Sequence, residues 1–322
     1  MYRYLVHRLL LAVPTLIGAA ALVFLLMRLI PGDVCLVRLS GAGGVDAKAL
    51  AACHAELGMD RSAIVQFLEF VGGFFTLDLG TSMWSGKPVA YEIAVRLPIS
   101  VEVALLATIV AISIAIPLGT ISALKQNSWI DFVVRTAAIA GIATPSFWLG
   151  IIALIAVLDL TSAIGGAPWM PPIDYVPLWE DPVRNLSMAI LPALTVGYLY
   201  SAVTMRMTRS AMLEVMREDY VRTARAKGLV RRVIINRHAL KNALLPVVTL
   251  IGIEFAFLIG GLVVTEQVFN LNGIGRLFVQ AVQNQDYTLT QALVMLVVAV
   301  FIFTNLAVDL LYAWLDPRIR FA

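Results

Sequence analysis

The chain has 322 residues, 60% of them hydrophobic and only 14% charged, with a mean hydropathy of +0.87 and a formal net charge of +3. A soluble domain carries roughly 45–50% apolar and about 25% charged residues, so this composition excludes an ordinary soluble protein and implies a polytopic membrane protein. The small positive charge is not a nucleic-acid footprint, because the basic residues gather at one membrane face.

In chain order, six apolar runs are long enough to cross about 30 Å of hydrocarbon. They cover residues 9–29, 99–121, 132–158, 188–207, 244–265 and 289–313. Pro14, Pro117, Pro145 and Pro192 fall inside these runs, which membrane helices tolerate because neighbouring helices and water satisfy the freed backbone groups. The first run starts among basic residues, as a signal peptide does. Its apolar core is too long for one, and no Ala-x-Ala-like site follows, so it reads as a retained helix. The fold class expected is therefore all-α, with six transmembrane helices.

Two connections are long. Residues 31–98 hold Gly41-Ala42-Gly43-Gly44, a helical-looking stretch at 47–57 and an apolar stretch at 64–75. The last is too short, and too interrupted by Glu69 and Gly72-Gly73, to span. Residues 159–187 carry Pro168, Pro171, Pro172, Pro177 and Pro182, which favours an extended or irregular lid.

An even number of spans puts both termini on one side, and the positive-inside rule says which. Ten Lys/Arg lie between Arg206 and Lys241, with Arg3, Arg8, Lys125, Arg318 and Arg320 on the same side. The opposite side offers Arg184 and Arg276 in its short loops. Both termini are expected in the cytoplasm, and residues 31–98 form an extracytoplasmic insertion. Cys35 and Cys53 both fall in that insertion, where an oxidising compartment permits a bridge. Closing that loop would stabilise the segment by roughly 3 kcal/mol on the chain-entropy model. The alternative is two unpaired, small apolar side chains.

The loop at 208–243 can be read from its residues. Met212, Val215, Met216, Tyr220 and Ala224 recur at helical spacing, while Arg209, Arg217, Arg222 and Arg225 take other positions. That pattern describes short amphipathic helices with a basic face. Gly228 breaks the helix, and a second helical piece leads through His238 and Asn242 to Pro246. Small Ala224 and Ala226 would let another protein approach closely. A polybasic loop resting on anionic lipid is the competing reading, at about 1 kcal/mol per basic residue near the surface.

The order of residues favours the first reading. Asp219-Tyr220-Val221-Arg222-Thr223-Ala224-Arg225-Ala226-Lys227-Gly228-Leu229, followed by His238-Ala239-Leu240-x-Asn242-Ala243-Leu244-x-Pro246, resembles the coupling loop of importer-type ABC transporter permeases, in its dipeptide/oligopeptide/nickel branch. Arg222-Thr223-Ala224 replaces the Glu-Ala-Ala of the general motif, and the interval from Gly228 to Pro246 is longer. Ile30-Pro31-Gly32-Asp33, Asp78-Leu79-Gly80-Thr81-Ser82, Thr144-Pro145-Ser146-Phe147-Trp148 and Asp316-Pro317-Arg318 resemble further signatures of that family. The insertion after the first span is similar to that of the first of its two permease subunits.

The resemblance implies a type I ABC importer permease fold, one membrane domain over 1–322 and a pore shared with a second homologous permease subunit. It also implies two ATP-binding subunits docked on Arg222, Thr223, Ala224, Ala226, Gly228, His238, Asn242 and Pro246, and a substrate-binding protein outside. Short peptides or similar small solutes would be the cargo. No cofactor is expected in this chain, since ATP and Mg would be held by the partner ATPase subunits.

Gly80-Thr81-Ser82-Met83-Trp84-Ser85-Gly86-Lys87-Pro88 superficially suggests a phosphate loop. It has one residue too many, and Pro88 stands where Ser or Thr would hold magnesium. Asn185-Leu186-Ser187 fits a glycosylation acceptor, but a bacterial family makes that reading empty. His7, His54 and His238 are scattered along the chain and suggest no metal site. Glu254 lies near the middle of the fifth run, where a carboxylate needs a wet cavity or a partner. It either lines the pore or makes a structural hydrogen bond. Arg135, Asn305, Asp309, Glu102 and Glu266 lie toward span ends and read as anchors. A self-contained secondary transporter or channel would favour inverted repeats or a selectivity filter, and a membrane enzyme would need convergent polar groups at one depth. The spans display none of these.

Overall fold

The computed structural model describes residues 2–29, 32–40, 46–165 and 169–315. In chain order the helices are α1 (Tyr2–Leu29), α2 (Val34–Ser40), α3 (Ala47–Glu56), α4 (Ala63–Thr76), α5 (Val89–Leu124), α6 (Trp129–Ala143) and α7 (Ser146–Ala163). They continue as α8 (Pro182–Val215), α9 (Asp219–Ala226), α10 (Arg231–Gly261), α11 (Val263–Val268), α12 (Ile274–Gln283) and α13 (Tyr287–Leu315). Among the described residues the one β feature is an isolated bridge between Thr81 and Pro88. Among the described residues, six helices, α1, α5, α7, α8, α10 and α13, are long and apolar enough to cross a membrane. The protein is all-α and multi-pass. Gly41-Ala42-Gly43-Gly44, Ile30-Pro31, Pro168 and Asp316-Pro317-Arg318 with Arg320 lie outside the described residues.

Several boundaries depart from the hydropathy reading; α8, for one, outruns the predicted 188–207 at both ends. The run 132–158 is broken rather than continuous. Proline crowds the residue before it out of the helical region. Thr144 is accordingly extended (φ −86°, ψ 123°), and Pro145 becomes the N-cap of α7 (φ −64°, ψ 134°). Helix α5 begins at Val89 instead of 99, because Glu92 and Arg96 interrupt the apolar run yet pair with each other one turn apart. Helix α10 begins at Arg231, well before 244, and its first turns include a π-helical segment, Ile234–Ala239.

The chain divides into two compact units, Met1–Ser100 with Asn272–Ile302, and Val101–Leu271 with Phe303–Ala322. In the first, Val89 and Ile93 of α5 pack with Ile274, Leu277 and Ala281 of α12 and Leu289 and Leu293 of α13. Ser100 Oγ accepts from the Ile274 backbone N–H at 2.8 Å, which satisfies one orphan donor at the start of α12. In the second unit α8 is central and packs against α6, α7 and α10. Between membrane helices the attraction is close packing rather than water expulsion, so small residues sit at the contacts. A Cβ on Gly197 of α8 would stand 2.7 Å from the Ala107 carbonyl oxygen of α5. Alanine there would push the two helices apart.

Candidate functional site

Helix α9 follows α8 after a short turn, and its end is closed by chemistry legible in the sequence. Gly228 takes a left-handed φ of +73°. Its N–H donates to Arg225 O at 3.0 Å, and the Leu229 N–H donates to Ala224 O at 3.3 Å. These two bonds are a Schellman cap, which favours glycine because a Cβ is strained at that φ. A Cβ on Gly228 would meet open space, so the requirement is conformational rather than steric.

The inner face of α9 is used by the chain itself. Val221 and Ala224 are buried against Ile234 of α10, with Val215 and Met216 beside them. The small side chain of Ala224 thus fits Ile234 of the same chain. Arg222, Thr223, Arg225 and Ala226 are exposed. Arg222 pairs with Asp219, and Thr223 Oγ1 donates back to Asp219 O at 2.9 Å. Asn242 Nδ2 donates to Tyr220 Oη at 2.7 Å, which fastens the start of α9 to α10. His238 is half-buried in the π-helical segment, and Pro246 lies exposed inside α10. Beside α9 runs a cleft of about 490 Å³, floored by Leu124, Met216 and Ile235 and edged by Arg217, Arg225 and Arg231.

Below this loop lies a buried ion pair that the sequence reading missed. Asp131, 1% exposed, receives Arg209 through Nε at 2.8 Å and Nη2 at 2.9 Å. Ser122 Oγ donates at 2.6 Å and the Asn127 N–H at 2.9 Å. Asp131 stands in the first turn of α6, ahead of the span predicted to open at 132. The Arg209 hydrogen bonds hold its carboxyl well below the usual carboxylate range, with Ser122 and Asn127 adding to the effect against the opposing cost of burial. Arg209 looked like one more member of the basic face. No local signal marks its partner 78 positions away.

Glu254 of α10 is 8% exposed. Its Oε2 accepts from Thr204 Oγ1 of α8 at 2.7 Å, and its Oε1 has no hydrogen-bond partner among the described residues. Asn185 is buried, donating to Glu102 Oε2 and to Val176 O, each at 2.9 Å. An acceptor amide for glycosylation would have to be free.

In the other unit the segment resembling a phosphate loop is folded around an anion of its own. Asp286 accepts from Ser82 Oγ at 2.5 Å and from the backbone N–H groups of Met83 and Trp84 at 3.1 and 3.2 Å. It also accepts from the Leu289 N–H at 3.0 Å, capping α13. Donors that could cradle a phosphate therefore hold a carboxylate. Cys35 and Cys53 are joined by a disulfide. His54 Nε2 lies 2.7 Å from Asp33 Oδ2 next to it. Asp33, Cys35 and His54 converge as metal ligands would, but the sulfur is already spent in the bridge.

Two family models cover the chain. Residues 115–321 match the binding-protein-dependent transport system inner membrane component, and residues 1–104 match the N-terminal part of such a component. The dipeptide transport system permease protein DppB of Escherichia coli (strain K12) is 38% identical over 337 residues, covering 99% of each chain. The glutathione transport system permease protein GsiC of Pectobacterium atrosepticum is 39% identical over 321 residues, covering 100% of each. A crystal structure of an amino acid ABC transporter overlays at a TM-score of 0.42 and 13% identity, over 79% of this chain and 98% of that one, a likeness too distant to carry an argument. Permeases of this kind form part of the translocation pore of ATP-driven importers and leave ATP hydrolysis to partner subunits. The chain belongs to the family of binding-protein-dependent transport system inner membrane components, as a permease subunit.

Proposed function

We propose that this chain is one of two homologous permease halves of an importer for short peptides or similar small solutes, and that α9 is where an ATPase subunit docks. The observation that carries the docking reading is the division of labour on α9. Its inner face is consumed by the chain's own packing, and Gly228 and Asn242 fix its two ends. Arg222, Arg225 and Ala226 are left facing outward on a rigid support. A short helix so braced can transmit a push, whereas a loop held by lipid alone would yield. ATP-driven closure of the ATPases would then shift the helices as rigid bodies between two states.

The rest follows from that assignment. Both termini and α9 lie in the cytoplasm, and residues 31–98 lie outside, where a substrate-binding protein delivers cargo. Relatives named for a dipeptide and for glutathione share peptide-like cargo chemistry, which supports the substrate class. Glu254 serves as a link between α8 and α10 rather than as a ligand for cargo, since its Oε1 is shut off from solvent and its Oε2 is held by Thr204.

The test uses the complete transporter, purified through a tag on this chain. Ala226→Trp adds bulk to the outward face of α9 without touching Val221 or Ala224. It should abolish co-purification of the ATPase subunits while the chain still inserts in the membrane. Stoichiometric ATPase recovery with that variant would exclude α9 as the docking element.

A further inference from the structure

A second cleft, of about 230 Å³, lies between α6 and α8 in the unit that holds both helices. Val134, Ala138, Ile139, Ile142 and Met205 make its walls. Arg135, Arg206 and Arg209 also line it. Arg209 is committed to Asp131, whereas Arg135 and Arg206 are exposed and have no acidic or hydrogen-bonding partner among the described residues. The cleft thus joins an apolar trough to two uncompensated guanidinium groups.

Its depth is set by the hydropathy of the two helices. The apolar runs are bounded at 132 on α6 and at 207 on α8, so Arg135 and Arg206 fall within a few residues of the membrane boundary. Arginine at that depth reaches its guanidinium toward the headgroup layer along an apolar stem. Trp129 and Phe132, at the start of α6, are 75% and 65% exposed. Large exposed aromatic rings beside the basic groups mark an interfacial belt. Further along α6, Ile139 and Ile142 are exposed where an acyl chain would run.

We propose that this cleft is a binding site for one anionic phospholipid. Its phosphate is held by Arg135 and Arg206, and one acyl chain lies along Val134, Ile139 and Ile142. Planar guanidinium groups suit a phosphate, which they can grip through two oxygens each. Phosphatidylglycerol would be preferred over phosphatidylethanolamine, because the zwitterionic headgroup carries its own ammonium.

The test is a lipid titration of the purified, assembled transporter read by native mass spectrometry, with phosphatidylglycerol and phosphatidylethanolamine as the probes. Two basic groups near a membrane surface should favour the anionic lipid by about tenfold or more. Arg135→Gln with Arg206→Gln should bring the two lipids within about twofold, on the same arithmetic. Arg217→Gln, outside the cleft, should leave the preference intact. Ile139→Trp, which fills the trough and keeps both charges, should also lower phosphatidylglycerol binding. That variant carries the test should the double variant fail to assemble. An unchanged phosphatidylglycerol preference in either cleft variant overturns the proposal. So does loss of the co-purifying second permease with lipid retention unchanged, which would give this face to a protein partner.

Discussion

Asp131 and Arg209 meet edge to edge, two hydrogen bonds of 2.8 and 2.9 Å joining the first turn of α6 to α8 across 78 positions of sequence. Ser122, from the end of α5, donates to the same carboxylate, so three helices are pinned by one buried charge. Breaking such a pair from one side leaves the other charge stranded, at about 3–5 kcal/mol. Arg209→Gln and Asp131→Asn should each lower thermal stability by that order, read by gel filtration after heating in detergent. Replacing both by apolar residues, Asp131→Leu with Arg209→Met, should recover much of the loss. Single variants as stable as the parent would show that the pair contributes little.

The same pair predicts a pH profile. The folded Asp131 carboxyl lies below its ordinary value, so its contribution is complete above the unfolded value of about 3.9. That contribution is lost only as pH falls from there through the depressed folded value. The stability gap between the parent and Asp131→Asn should be flat from about pH 5 to pH 8 and shrink only below about pH 4. A gap that closes between pH 5 and 8 would mean that Asp131 titrates near or above the ordinary range.

Asp286 organises the loop from Ser82 to Trp84 by taking the place of an anion. Asp286→Ala strands Ser82 Oγ and the N–H groups of Met83, Trp84 and Leu289. Each buried unmet donor costs about 1–3 kcal/mol, so several together should exceed the cost of a typical point mutation. Asp286→Asn keeps a carbonyl acceptor and should be milder. Protease cleavage between α4 and α5 should rise in the same order, alanine above asparagine above parent. Equal cleavage in all three would remove the anchoring role.

The membrane helices were legible because hydrocarbon selects long apolar runs, and each of the six runs overlaps one of the six long apolar helices, although the run 132–158 is split between α6 and α7. Boundaries were less so. Glu92 and Arg96 made α5 look as if it started ten residues late, because hydropathy counts charges and cannot see that they cancel. Pro145 was visible, yet whether a proline kinks or breaks a membrane helix depends on neighbours. The cap at Gly228 was legible, since a single residue type solves a local backbone problem. Asp131 with Arg209, and Asp286 with Ser82, were not. Partners 78 and 204 positions apart leave no periodicity to find.

Glu254 separates a structural role from a transport role. Glutamine keeps an oxygen that can accept from Thr204, so Glu254→Gln should leave peptide uptake and its pH dependence unchanged within about twofold, a difference under 0.5 kcal/mol. Thr204→Val removes the donor and should cost stability by about 1–2 kcal/mol. A large loss of uptake in Glu254→Gln with normal stability would return Glu254 to the cargo path.

Gly228 offers a graded test of the proposed docking element. Its left-handed φ costs a side chain about 1–2 kcal/mol, and asparagine tolerates that region better than other residues. The space around its Cβ position is open, so neither Gly228→Asn nor Gly228→Ala introduces a clash within the chain. What changes is the cap, and with it the orientation of α9. ATP-driven uptake should fall in the order parent, asparagine, alanine. Gly228→Trp should be lowest, because it adds bulk beside the proposed docking face. Insertion, followed by the amount of full-length chain in washed membranes, should be equal across the series. Uptake that is level from parent to tryptophan would mean that the fixed end of α9 does not govern coupling.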